Sequence, residues 1–298
     1  MKLNSIYFKN ILFSFFIVLL ISSCGNQKEE GENAKTNAVD SNRTQLLNVN
    51  GEIFSIPSPI QTAFLIKKSG ANYTKEMLNP AQKSSGYSTT FQKALNLGIY
   101  GADLGYVTLY DQTQDAIAYM QSVKKIADDL GVTGAFDAQI INRFQNNIGN
   151  KDSLLVLVST AYRSSDAYLK NNDRSDISGL VLAGGWIEGI HFAIDFMKTK
   201  KNDDVRRRIA EQKISLQSLV KLLIPYSSQP EYNELIDALN ELTSLFEGVE
   251  FKYVYEKPTV DPSKKLTTIN SKTSVSITDE QLNAISQKIQ SIRNQIVG

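Results

Sequence analysis

Residues 180–197 read LVLAGGWIEGIHFAIDFM, and this stretch decides the fold. It is apolar almost all round, and such a helix belongs in the middle of a bundle, because a surface helix keeps one polar face. Yet it carries Gly184, Gly185 and Gly189, with Gly179 just ahead. Each glycine inside a helix costs roughly 1 kcal/mol relative to alanine. A second segment behaves alike: the helix predicted from Ser88 to about Leu109 contains Gly98, Gly101 and Gly105. At about 100° per residue, Ala94, Gly98, Gly101 and Gly105 fall on one stripe, and Gly185, Gly189 and Ala193 on another. The simplest account is two helix backbones in close approach, these two against each other. The alternative is that the missing side chains leave room for a ligand.

Both helices also carry polar stripes. Asn96, Tyr100, Asp103, Tyr106 and Tyr110 line one side of the first, and Glu188, His191 and Asp195 recur at i, i+3 and i+7 on the second. Inside a bundle such groups are desolvated or face a cleft, and a buried carboxylate needs a partner or a shifted pKa. Tyrosine hydroxyls, or Arg143, Arg163 and Arg174, are candidate partners. Two readings stay open. One is a buried structural network. The other is a polar pocket for a small ligand or peptide, built from Tyr100, Asp103, Tyr106, Glu188, His191 and Asp195. The Glu188-x-x-His191 spacing occurs in di-iron bundles, but those need two such pairs and two further glutamates. This chain has a single histidine, so no metal site and no cofactor is expected. GxSxG, a P-loop lysine motif and a glycine-rich turn after a strand are all missing, and no catalytic residue is assigned.

Around these two helices the chain reads as helix upon helix. Ile56-Pro57-Ser58-Pro59 leads into a short helix to Lys68, stopped by Gly70. Asp111 is the expected cap of the next helix after the first glycine-bearing one, with Gly131 at its end. Further helices are predicted near 137–147, 152–171, 174–199, 203–224 and 230–247, with Asp152, Asp173 and Asp203 marking starts. Val249–Tyr255 then alternates with period two, and the Thr/Ser-rich stretch 265–277 supplies a partner strand, so a hairpin is expected at about 249–277. Thr278-Asp279-Glu280-Gln281 opens a final helix with a capping box. The predicted fold class is all-α: a multi-helix antiparallel bundle with a small β-hairpin before the C-terminal helix.

The N-terminus carries a different message. Lys2 and Lys9 precede an apolar run at 11–21 that is broken only by Ser14. The run is too short to span a bilayer but has the length of a secretory signal. Ser22-Ser23-Cys24 follows, and Cys24 is the only cysteine of the chain. The arrangement resembles a bacterial lipobox. Residues 1–23 then form a lipoprotein signal peptide, Cys24 becomes acylated, and residues 24–52 form a polar tether to a single helical domain at 53–298. Several acyl chains on one cysteine hold a protein stably at a bilayer. Gly25, where aspartate would signal retention in the inner membrane, favours the outer membrane. Gln27-Lys28-Glu29-Glu30 is similar to a lipoprotein export signal of Bacteroidota, which would carry the domain to the cell surface.

Composition narrows the partners. The 298 residues include 32 Lys+Arg against 31 Asp+Glu, so no net field recruits nucleic acid. One cysteine rules out a disulfide framework.

Ile56–Pro59, Asn96–Leu104 (NLGIYGADL), Asp152–Leu155 and Gly184–Gly189 (GGWIEG) together resemble a family of uncharacterised helical lipoproteins of Bacteroidota. The resemblance implies an envelope location and a helical fold, and brings no activity or functional residue with it. The expected role is a binding or scaffold module anchored to the outer membrane by lipid, with an envelope protein or small ligand as partner. The alternative is a small-ligand receptor or enzyme with its site between the glycine-bearing helices, at Asp103, Glu188 and His191. An assembly partner would in addition show an exposed apolar patch.

Overall fold

The computed structural model describes residues 45–49, 52–56, 58–132, 138–147 and 150–298. The predicted signal peptide, Cys24 and the tether up to residue 44 lie outside the described residues. Among the described residues the fold is an all-α bundle with small antiparallel β-pairs.

The first of those pairs starts earlier than the expected domain boundary at 53. β1 (Gln45–Val49) pairs antiparallel with β2 (Glu52–Ile56), Val49 opposite Glu52. α1 (Pro59–Lys68) follows, with proline in its first turn and Gly70 at φ 85° just beyond its end. A strap of chain, residues 71–89, leads into α2 (Thr90–Leu109). There Thr89 and Gln92 form a reciprocal capping box.

The remaining helices are α3 (Thr113–Asp129), α4 (Ala138–Asn146), α5 (Lys151–Asn171), α6 (Ser175–Thr199), α7 (Asp203–Ala210), α8 (Gln212–Leu223), α9 (Pro230–Leu245) and α10 (Asp279–Val297). The predicted helix at 203–224 is thus two helices, broken at Glu211. The caps differ from expectation as well. Asp111 (φ 60°) and Asp173 (φ 56°) occupy left-handed turn positions that close the preceding helices, which aspartate tolerates better than most residues. Asn150 and Asn202 each cap one residue ahead of the helix they open, accepting from Ser153 N and Val205 N. They do the work expected of Asp152 and Asp203.

α6 is the axis of the bundle. Every residue from Ile177 to Ile194 is buried, and α2 packs along it. Among the described residues it alone is long and apolar enough to cross a membrane, and its apolar window is wholly covered by the rest of the domain. That is the signature of a core helix. α1, α8 and α10 also pack on it.

The hairpin expected at 249–277 is present, as an arm. β3 (Glu250–Val254) pairs with β6 (Lys272–Ser276), and β4 (Thr259–Asp261) with β5 (Leu266–Thr268). Between the two ladders, residues 255–258 face only 269–271, a one-residue bulge. Asn270 Nδ2 donates to Lys257 O, and Ser271 Oγ bonds both backbone groups of Glu256. Buried Val249 and Ile277 fix the base of the arm in the core.

Candidate functional site

The glycines explain how the site is built. A Cβ on Gly98 would lie 2.0 Å from Val181 O and 2.7 Å from Gly185 N, and one on Gly184 would lie 1.9 Å from Leu95 O. α2 and α6 therefore touch backbone to backbone, as the stripes predict for Gly98 and Gly185. Gly184, outside the predicted stripe, makes the tightest of these contacts. The other glycines answer to different neighbours. Gly105 makes room for Ile60 and Gly189 for Pro59, so α1 lies in a saddle cut into both helices. Gly101 borders a small apolar cavity shared with α3 and α5, of about 30 Å³.

With the backbones in contact, the polar stripes of α2 and α6 turn to the strap, and they bind its main chain. Tyr100 Oη donates to Pro80 O (2.9 Å), Tyr110 Oη to Ala71 O (3.1 Å), and Tyr106 Oη accepts from Thr74 N (3.1 Å). Asp103 Oδ2 accepts from Asn79 N (3.2 Å), and Asn96 Oδ1 from Asn79 Nδ2 (3.2 Å). α3 adds Tyr119 Oη to Asn79 O and Ser122 Oγ to Ala81 O. Burial raises the pKa of Tyr100 and of Tyr119, which keeps both hydroxyls as donors. The predicted pocket is filled by the protein's own chain.

At the centre sit Asp103 and Glu188, both fully buried. Of the expected arginine partners, Arg143 and Arg174 make no recorded contact with this pair. Arg143 is exposed, Arg174 stands at the start of α6, and the side chain of Arg163 lies outside the described residues. The partner is Arg293 on α10. Its Nε and Nη2 meet Glu188 Oε2 and Oε1 at 2.5 and 2.7 Å, and Nη2 also donates to Met77 O at 3.1 Å. This planar fork on a carboxylate is the geometry arginine is suited to. The sequence held a signal for it. Arg293 falls four residues after Ile289 and next to Ile292 on the apolar face of the last helix, where a charge has no place unless it is paired.

Asp103 takes a different protonation state. Burial first, then repulsion from the Glu188 carboxylate, holds its pKa well above the usual carboxylate range. Among the described residues its Oδ1 receives no hydrogen bond, while the carboxyl lies within hydrogen-bonding reach of Glu188. A proton on Asp103 turns that contact into a donation to Glu188. His191 Nε2 lies 3.1 Å from Met77 O, an acceptor, so Nε2 carries hydrogen and Nδ1 has no partner among the described residues. Burial is the main cause that lowers its pKa, and the ring is neutral at pH 7. One arginine and one carboxylate thus balance, as a buried cluster requires.

Asp195 does not join this cluster. It lies one turn beyond His191, 3.5 Å from Lys198, and lines a surface recess of about 380 Å³ together with Tyr106, Phe192 and Lys200. Among the described residues no group of three or more His, Cys, Asp and Glu is placed to hold a metal, and both oxygens of Glu188 are taken by Arg293.

The protonated Asp103 has a measurable consequence. Between the unfolded carboxylate pKa near ~3.9 and its raised folded value, the folded chain binds more protons than the unfolded chain. Stability from this group is therefore full below that window and falls by about 1.4 kcal/mol per pH unit through it. Asp103→Asn keeps an acceptor for Asn79 N–H and a donor for Glu188 with nothing to titrate. Its urea midpoint should rise relative to the parent chain by more at pH 8 than at pH 5. An equal change at both pH values would place the proton elsewhere.

Comparison of this chain with family models, with curated proteins and with solved structures finds no match.

Proposed function

We propose that this chain is a lipid-anchored module of the bacterial envelope, held at the outer membrane through an acylated Cys24, and that it serves as a binding or scaffold protein. The observation that carries the reading is the closure of the polar cluster. Apart from Asp195, the groups that looked available for a ligand are spent on residues 71–81 and on one another, with Arg293 completing the set. What the domain offers to a partner is its surface, and seven of the ten exposed large hydrophobic residues among those described lie on the arm. The resemblance to helical lipoproteins of Bacteroidota supports the location. The recess beside Asp195 and Tyr106 supports a second reading, a small-ligand receptor.

Two measurements test the proposal. The Cys24→Ser chain should leave the outer-membrane fraction in which the parent chain is found; an unchanged distribution removes the anchor. Affinity purification of the tagged chain from membranes should recover envelope components. Tyr253→Ser/Tyr255→Ser/Leu266→Ser should lose them while melting as the parent does. Equal recovery from both chains would shift the contact surface away from the arm.

A further inference from the structure

All five residues of β3 are exposed, and among the described residues β3 is hydrogen-bonded on one side only, to β6, which itself lies beside α7. The other edge of β3 pairs with no strand among the described residues, and such an edge is a template for another strand. Phe251, Tyr253 and Tyr255 alternate along one face of the ribbon, and Tyr253 and Tyr255 are 63% and 69% exposed. The opposite face carries Glu250, Lys252, Val254 and Glu256. Glu256 meets Lys272 of the same arm at 3.5 Å, on the side where Val254 faces Lys272 in the ladder.

We propose that the partner of this edge is β3 of a second copy of the chain, paired antiparallel about a two-fold axis at Val254. The proposal rests on the scaffold reading and names the surface and partner it uses. Two identical strands pair antiparallel only about an axis perpendicular to the sheet, so the residues facing each other have numbers that add to an even sum. Few registers remain, and charge separates them. An axis at Tyr253 sets Glu250 against Glu256 of the other copy. An axis at Lys252 sets lysine on lysine. An axis at Tyr255 leaves Lys252 against Pro258. With the axis at Val254, Lys252 faces Glu256 and Tyr253 faces Tyr255, and symmetry repeats both pairs. Opposite charges and aromatic pairs across strands stabilise a sheet, and like charges oppose it. Pro258, which has no N–H, then falls opposite Glu250 and ends the ladder. The product is a four-stranded sheet with both sets of aromatic residues on one face. Because the contact is isologous, it closes at two copies.

A cysteine at the axis reads this directly. Residues facing each other across an antiparallel pair have Cα atoms about 4.5–5.5 Å apart, within disulfide range. The full chain carrying Val254→Cys, oxidised in membranes with copper–phenanthroline, should run at twice its mass on a non-reducing gel. The parent chain and Ile269→Cys, a still more exposed arm position off the axis, should run at single mass. Adding Lys252→Glu to Val254→Cys should abolish the cross-link, and adding Glu256→Lys as well should restore it, because the pair is then reversed on both copies. Absence of the cross-link, its survival in Lys252→Glu, or failure of the reversal to restore it would each overturn the proposal. These outcomes stand apart from the scaffold reading. An arm that still recovers envelope components without cross-linking has a different partner, and a Cys24→Ser chain that stays at the membrane removes the anchor alone.

Discussion

Gly184→Ala is expected to cost about 3 kcal/mol or more, at or beyond the upper end of what overpacking a core usually costs. The added Cβ would sit 1.9 Å from Leu95 O, and ordinary contact begins near 3.4 Å. A carbonyl inside a helix cannot swing aside as a side chain can, so α2 would have to withdraw bodily. It is held on the same crossing by Gly98 against Val181 O, along its other side by α3, and through Gly105 by α1. Gly98→Ala should therefore be as damaging. Gly179→Ala is the internal control. Its Cβ would meet side-chain atoms alone, the Leu223 Cδ2 methyl at 3.2 Å and Leu222 Cγ at 3.6 Å, and the helix gains about 1 kcal/mol of propensity, so this variant should melt close to the parent. Thermal unfolding followed by circular dichroism compares the three. Melting of Gly184→Ala within a degree or two of the parent would mean the two backbones are not in contact.

That contact was legible in the sequence because glycine in a helix is a cost that something must offset, and two helices showed it at compatible spacing. The strap was not. Its residues, among them Asn72, Asn79 and Pro80, carry no period, and what α2 recognises in it is main chain, which every sequence has. The stripe of Asn96, Tyr100, Asp103, Tyr106 and Tyr110 therefore announced a polar contact without naming its partner, and a ligand pocket fitted the same residues. Arg293 was hidden by distance, 105 residues from Glu188 along the chain. Its place among isoleucines was the available clue. For the arm, the alternation of residues 249–255 marked a strand, but alternation normally means one buried face, and only the two-stranded architecture leaves both faces in water.

The Glu188–Arg293 pair gives the second large effect, and it separates the structural role of the cluster from a ligand-binding one. Glu188→Gln leaves a guanidinium buried without its counter-charge, and Arg293→Met leaves Glu188 facing Asp103 alone. Breaking a buried pair from either side costs about 3–5 kcal/mol, and each single variant should lose that much in urea unfolding. Replacing both removes the charges together and leaves His191 still bonded to Met77 O. The double variant Glu188→Gln/Arg293→Met should therefore be more stable than the sum of the single losses predicts, by about 2 kcal/mol, within the range found for residues in direct contact. A cluster kept for an external ligand would behave differently: Glu188→Gln would hold its unfolding midpoint and lose only affinity. The geometry argues against that outcome, because Arg293 occupies both Glu188 oxygens and reaches the strap at Met77 O in the same grip. One ion pair thereby ties α6, α10 and the strap together, and loosening it should be felt as lost stability before anything else.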